Sequence, residues 1–294
     1  MTAEKESGGS RMEYTTLRNG VTMPLEGFGV FQIPEAAVCE QAVLDALDTG
    51  YRLIDTAAAY FNEEAVGAAL RKSGIPREEL FITTKLWIQD AGYENAKQAF
   101  QTSLDKLGLD YLDLYLIHQP FGDYYGSWRA MEELYEAGKI RAIGVCNFYP
   151  ERLTDLACNA RIQPMVNQVE LHPFFAQTDA LANMKALGIQ PEAWGPLAEG
   201  NHGIFTHPLL TDIGKKYGKT PAQVVLRWNT QRGVVIIPKS THKERMEQNL
   251  DIWDFTLSAE DMAAIGQLDL GHSEIIDHSA AETAKWLNGW KIHD

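Results

Sequence analysis

From Arg52 to Ser240, short runs rich in β-branched and other apolar residues alternate with longer stretches whose apolar residues recur at i, i+3 and i+4. This alternation constrains the fold most, because it describes repeated βα units around a parallel sheet. The runs are RLIDTAAAY, LFITTKL, LDLYLIH, IRAIGVCNF, MVNQVEL, QPEAWGPL and VVIIPKS, and LEGFGVFQ ahead of them makes eight. Between them lie EAAVCEQAVLDALDTG, NEEAVGAALRKSG, NAKQAFQTSLDKLG, GSWRAMEELYEAG, PERLTDLACNA, TDALANMKALG and TPAQVVLRWNTQRG. Several end in glycine, which suits the left-handed residue beyond a helix, and Pro150 and Pro221 suit first helical positions. The expectation is an α/β fold, a (β/α)8 TIM barrel. An open doubly wound sheet shares the alternation, but its dinucleotide-binding form carries GxGxxG after an early strand, and GFGVF is only a fragment of that turn.

Ahead of the repeats, YTTLRNGVTMPL reads as an N-terminal β-hairpin that plugs one barrel end, with Asn19 and Gly20 both at positive φ in a tight turn. HPLLTDIGKKYG and SAEDMAAIGQLD read as extra helices, and the tail from Leu270 is less regular. Residues 1–11 are polar and contain Gly and Ser, so they read as a disordered leader or an expression remnant, with one barrel domain over 12–294. A chain of 294 residues, 45% apolar, is long enough for such a barrel.

A net charge of -14 argues against a nucleic-acid or anionic-membrane surface, so an anionic ligand has to be caught locally. Cys39, Cys146 and Cys158 form no CxxC pair, and the histidines, His172, His202, His207 and His242 among them, show no HExxH spacing. Neither a disulfide framework nor a metal site is suggested. No basic region followed by an apolar stretch opens the chain, and no window approaches the ~18 apolar residues of a membrane span. The expectation is a cytoplasmic protein, a monomer or weak homo-oligomer.

In a parallel barrel the active site lies at the strand C-termini, where nearly every run here ends in a polar residue. These are Asp55 and, just beyond it, Tyr60; then Lys85, His118, Asn147, Gln168 with Glu170, and Lys239 with Ser240. Any one alone more often caps a helix or fills a polar corner. Together they converge on one mouth, where ionisable groups are costly to desolvate unless paired, and Asp55 with Lys85 is the natural pair. An ammonium beside Tyr60 stabilises its phenolate and lowers a pKa ordinarily near ~10, while neutral His118 orients a carbonyl oxygen. The pattern is that of a carbonyl-polarising site.

These residues, with GFGVFQ, RLIDTAAAYFNEEAVGAAL, TTKLW, LDLYLIHQP, AIGVCNF, NQVELHP, GPLAEG and IPKSTHKERMEQN, resemble the aldo-keto reductase superfamily from about Tyr14 to Ile292. The resemblance implies a (β/α)8 barrel binding NADPH across the strand ends, with Asp55, Tyr60, Lys85 and His118 as a catalytic tetrad and Tyr60 as the acid. It further implies that Asn147 and Gln168 hold the nicotinamide carboxamide and that Trp194 stacks on the ring. A tryptophan at a strand end fits core packing equally well. Leu197 and Gly200 then contact the pyrophosphate through backbone, and Glu199, unhelpful there, faces outward.

In PKSTHKER, Lys239, Lys243 and Arg245 cluster beside Ser240 and Thr241 at the opening of a helix, which suits a 2′-phosphate and favours NADPH over NADH. The matching segment assigns Gln248 and Asn249 to the adenine edge. Departures from the family pattern are Cys146 and Gly195 where serine is frequent, Phe31 where tryptophan is, Phe61 where glycine is, and Gln248 where glutamate is. Phe31, Trp87 and Phe121, each just past a strand end, are candidate walls of the substrate pocket. A short C-terminal segment is similar to the bacterial group of 2,5-diketo-D-gluconate and methylglyoxal reductases. The expected partners are small dicarbonyls, keto-sugars and aromatic aldehydes. Rival readings are a redox-sensing module that holds NADPH with little turnover and a hydrolase or lyase using Asp55 and Glu170.

Overall fold

The computed structural model describes residues 12–294, and the expected leader lies outside them. Two short strands, β1 (Tyr14–Thr16) and β2 (Thr22–Pro24), pair antiparallel. The hairpin differs from the expected two-residue turn. Gly20 N donates to Leu17 O and Leu17 N to Val21 O, both at 2.8 Å. Gly20 takes φ 88, and Asn19 is not among the positive-φ residues. This is a type I turn closed by a left-handed glycine, which spares Asn19 the strained backbone. The freed Asn19 side chain donates to Arg141 O at 2.9 Å, and Thr15 Oγ1 donates to Gln190 Oε1 at 2.9 Å. Both partners stand at strand starts, so the hairpin covers the end of the barrel opposite the strand C-termini.

Eight parallel strands follow: β3 (Phe28–Gly29), β4 (Leu53–Asp55), β5 (Phe81–Leu86), β6 (Leu112–Ile117), β7 (Ile140–Cys146), β8 (Val166–Glu170), β9 (Gln190–Trp194) and β10 (Val235–Ile236). Each pairs with its sequence neighbour. A parallel bridge between Glu26 and Ile236 closes the ring, with Gly27 N to Ile236 O at 2.8 Å and Ile236 N to Leu25 O at 2.9 Å. The open doubly wound alternative is thereby excluded. Strands β5 and β6 are buried at every position, because one face fills the interior and the other is covered by helices.

The helices α1 (Ala36–Thr49), α2 (Glu63–Ser73), α3 (Tyr93–Leu107), α4 (Tyr124–Glu136), α5 (Pro150–Asn159) and α6 (Thr178–Leu187) each follow a strand. Glycines 50, 74, 108 and 188 cap α1, α2, α3 and α6, all at positive φ. Beyond β9 lie α7 (Pro208–Tyr217) and α8 (Pro221–Gln231), then α9 (Lys243–Leu250) after β10, and α10 (Ala259–Gly266). The tail read as less regular holds a further helix, α11 (Ala281–Gly289), whose apolar residues face the strand C-termini. Among the described residues, no helix is long and apolar enough to cross a membrane.

Candidate active site

Strand β4 delivers Asp55 to the C-terminal end of the barrel, and a short 3-10 turn (Ala58–Tyr60) brings Tyr60 back over it. That turn ends in Phe61 at φ 58, a left-handed conformation costing a non-glycine residue about 1–2 kcal/mol. Buried Asn62 holds the turn: its amide donates to Val30 O at 2.9 Å and Ile33 O at 3.1 Å, and its Oδ1 accepts from Thr56 Oγ1 at 2.6 Å. The loop carrying Tyr60 is thus tied to the loop carrying Phe31, a fixture the sequence reading missed.

Lys85, fully buried on β5, donates from Nζ to Asp55 Oδ1 (2.5 Å), to Thr56 O (3.0 Å) and to the Tyr60 hydroxyl (3.1 Å). Burial opposes its charge, but Asp55 and Tyr60 outweigh that and hold its pKa above the usual lysine value. Tyr60 departs from expectation. Burial pushes its hydroxyl up to about 12, against the downward pull of Lys85 and with help from Asp55. One ammonium already shared with a carboxylate does not offset the desolvation of a phenolate. His118, at the end of β6, sits edge-on to Tyr60 with ring centres 5.6 Å apart and to Trp87 at 5.2 Å. Burial first, then Lys85 and His278, hold its imidazole well below the usual range, so it is neutral.

These side chains line a cavity of about 530 Å³ at the strand C-termini. Phe31, Asp55, Tyr60, Trp87, His118, Asn147, Gln168, Trp194, Leu197, Gly200 and Lys239 all contribute to it. Gln168 Nε2 donates to the second oxygen of Asp55 at 2.9 Å. Asn147, at φ 63, accepts from Trp194 Nε1 at 2.7 Å and donates to His118 O at 3.1 Å. The Trp194–Asn147 bond holds the Trp194 ring at the cavity wall, partly buried against the core. Glu199, expected to face away, is exposed but contributes to the wall, at φ 51.

Other expected residues lie elsewhere. Phe121 is not among the lining residues; its ring stacks on His278 at 6.5 Å, and His278 takes the wall position. Ser240, Thr241, Arg245, Gln248 and Asn249 lie beyond the lining, before and along α9. Ser240 Oγ accepts from His242 N at 3.0 Å and so shapes the turn into that helix. Asn249 is buried, whereas Thr241, Arg245 and Gln248 are exposed. Lys239 lines the cavity, and the first N–H groups of α9, as at any helix N-terminus, lack intrahelical partners.

The cavity also contains residues not expected in it, and Cys146, named above only as a departure from the family pattern. Cys146, Ile276, His278, Trp286, Leu287 and Trp290 line it, the last three from α11 and the residue after it. Trp87 Nε1 donates to Trp290 O at 2.7 Å, which ties the C-terminus to the end of β5. For Trp286 and Trp290 the signal in the sequence was tryptophan in a polar tail. Beneath them, buried Glu192 on β9 pairs in register with Gln168. Glu170 is engaged by Ser273 and three backbone N–H groups, and Asp55 by Lys85 and Gln168. Neither is left as a free acid/base partner for the other, which removes the support for a hydrolase or lyase.

The model of the Aldo/keto reductase family matches residues 27–270, which span the barrel and all of these strand ends. The chain belongs to the aldo/keto reductase family. It is 52% identical to the glyoxal reductase of Bacillus subtilis (strain 168) over 254 residues, 86% of this chain and 91% of that protein. It is 46% identical to the methylglyoxal reductase DkgA of Escherichia coli (strain K12) over 258 residues, 87% and 93% of the two chains. Its fold superposes on an aldo-keto reductase of Bombyx mori in complex with NADP at a TM-score of 0.86 and 38% identity, covering 90% of this chain and 95% of that one. Solved aldo-keto reductases similar to this chain include complexes with NADP and with NADPH.

Proposed function

We propose that this aldo/keto reductase uses NADPH to reduce aldehydes and ketones to alcohols, acting on small dicarbonyls, keto-sugars and aromatic aldehydes. The observation that carries this reading is Lys85 Nζ, shared between Asp55 at 2.5 Å and the Tyr60 hydroxyl at 3.1 Å beside the cavity. When bound, NADPH supplies hydride to the carbonyl carbon. Tyr60, which carries its proton at neutral pH and is pushed further up to about 12 by burial, gives that proton to the carbonyl oxygen as negative charge develops there. Lys85 stabilises the phenolate left behind, and Asp55 keeps Lys85 charged and in place. Neutral His118 orients the carbonyl oxygen beside the Tyr60 hydroxyl.

Asn147 and Gln168 are assigned to the nicotinamide carboxamide, Trp194 to the face of its ring, and Leu197 and Gly200 to the pyrophosphate. Lys239, Ser240, Thr241 and Arg245 are assigned to the 2′-phosphate, and Gln248 and Asn249 to adenine. Phe31 and Trp87 wall the substrate, with Phe121 as backing. The named activities of the two bacterial relatives support the dicarbonyl class, and the NADP complex of the silkworm protein supports the cofactor. Free thiols at Cys39, Cys146 and Cys158 suit a reducing cytoplasm, where the enzyme is proposed to act as a monomer or weak homo-oligomer.

The test follows NADPH absorbance with methylglyoxal, a nitrobenzaldehyde and 2,5-diketogluconate. The wild type is expected to turn over at least one of them, and Tyr60→Phe to lower kcat by about 10²- to 10⁴-fold, the usual contribution of a general acid. Near-wild-type rates in Tyr60→Phe would remove the proposed acid. NADPH binding without turnover of any carbonyl would leave the redox-sensing module instead.

A further inference from the structure

After α10 the chain crosses the barrel mouth, and one carboxylate decides its path. Glu170 Oε1 accepts from the Ser273 hydroxyl at 2.7 Å and from the N–H groups of Ile275 and Ile276 at 3.1 Å each. Its Oε2 accepts from Glu274 N at 2.9 Å and lies 3.1 Å from His172 Nε2. Burial pushes this carboxyl up, but His172, Glu274, Ser273 and Ile276 together outweigh it and hold it below the ordinary range. Four consecutive residues are therefore pinned to the end of β8. A second anchor follows, where His278 N donates to the Tyr149 hydroxyl at 3.3 Å.

The two anchors place the His278 side chain in the wall of the same cavity that holds Tyr60 and His118. Its ring lies between Phe121, Tyr149 and Trp194, with centres 6.5, 6.2 and 6.5 Å away. It is 6% exposed, and its Nε2 has no hydrogen-bond partner among the described residues. A buried polar atom without a partner is costly, and one facing a ligand cavity finds its partner on the ligand. The neighbouring wall, from Ile276, Trp286, Leu287 and Trp290, is apolar, so His278 is the polar group of this segment.

We propose that His278 sets the substrate specificity of this pocket by hydrogen-bonding a second, uncharged oxygen of the carbonyl substrate, a hydroxyl or another carbonyl. The inference rests on the carbonyl-reductase reading and narrows its substrate class. Burial pushes the imidazole down to about 4, against the opposing pull of Glu170, the Ile276 backbone and Asp277. It is therefore neutral under working conditions and offers a carboxylate no counter-charge. Hydroxyaldehydes and neutral dicarbonyls fit, and keto acids fit less well. The aromatic rim, with Trp286 52% and Trp290 47% exposed, covers the remaining apolar part of the substrate.

The test compares kcat/KM for lactaldehyde and propanal, which differ by one hydroxyl, with NADPH in the wild type and in His278→Phe. The lactaldehyde-to-propanal ratio is expected to fall about tenfold, corresponding to ~1.4 kcal/mol, the size of one neutral hydrogen bond. His278→Gln, which retains a donor and an acceptor, should recover more than half of that preference. Should His278→Phe fail to fold, as judged by circular dichroism, His278→Leu removes the same nitrogen with a smaller side chain. An unchanged ratio, or equal losses on both aldehydes, overturns the inference alone. A wild type that oxidises NADPH with neither aldehyde overturns the carbonyl-reductase reading and this inference with it.

Discussion

Lys85 and Glu192 are both buried in the barrel interior, yet only Lys85 has partners. Its ammonium has three acceptors, whereas neither carboxylate oxygen of Glu192 is hydrogen-bonded among the described residues, because Gln168 beside it donates to Asp55. Burial, and then the charge of Asp55, push Glu192 up from 4.5 to about 8. A carboxyl raised in the folded state favours folding fully below its unfolded pKa, and that contribution is lost as pH climbs through the folded value. Between about pH 4.5 and 8 the protein should therefore lose stability through this one group. Glu192→Gln removes the charge, so its thermal stability relative to wild type should improve between pH 5 and 9, by on the order of 4 kcal/mol. Melting curves at both pH values decide it, and a difference that does not move with pH would mean that Glu192 does not titrate. In the sequence Glu192 was only one residue of QPEAWGPL, because nothing local says which side of a strand faces the barrel axis.

At the scale of elements, close packing of helices sets sharper demands than the periodic pattern revealed. Helix α2 approaches the end of α3 so closely that a Cβ on Gly67 would lie 2.4 Å from Leu107 O and 2.7 Å from its carbonyl carbon. Alanine is the better helix former by about 1 kcal/mol, but here the neighbour is backbone and cannot give way. Gly67→Ala is expected to lower stability by about 1–3 kcal/mol, a drop in Tm of a few degrees or more. Gly266 in α10 meets nothing within 4 Å, so Gly266→Ala, neutral or slightly stabilising, is the control. Matching melting temperatures in the two variants would show that the α2–α3 contact relaxes freely. The boundaries of α1 to α8 were legible within a residue or two, since caps and periodicity are local. Helix α11 was not legible, because what orders it is docking at the mouth, through Leu287 and the Trp87–Trp290 bond.

Considered whole, the molecule carries a net charge of -14, so it repels an anionic cofactor except where cations are gathered. Around α9, Lys243 is engaged with Asp48, and Lys239 Nζ donates to Gln32 Oε1 at 3.2 Å. Arg245 is exposed and takes part in none of the ion pairs among the described residues, so its guanidinium is the group proposed to grip a 2′-phosphate bidentately. Arg245→Ala is expected to raise the ratio of KM for NADPH to KM for NADH about ten- to a hundredfold, the size of one charge-assisted hydrogen bond. Steady-state titration of both cofactors measures it; equal rises for the two would place the 2′-phosphate elsewhere.

Alternating periodicity, by itself, specified a parallel α/β fold with Asp55, Tyr60, Lys85, His118, Asn147 and Gln168 at or just past the strand C-termini, while closure into a barrel rests on the Glu26–Ile236 bridge. The reason is geometric: in a parallel barrel every strand C-terminus meets the same opening, so position along a run becomes position in the site. Only the tertiary structure decided that Tyr60 is raised rather than lowered, that Phe121 stands behind His278, and that Glu170 anchors a segment instead of doing chemistry. Each of these depends on contacts between residues far apart in the chain, such as Glu170 with Ser273, or on desolvation summed over a closed interior. Neither quantity has a local period that a sequence can display.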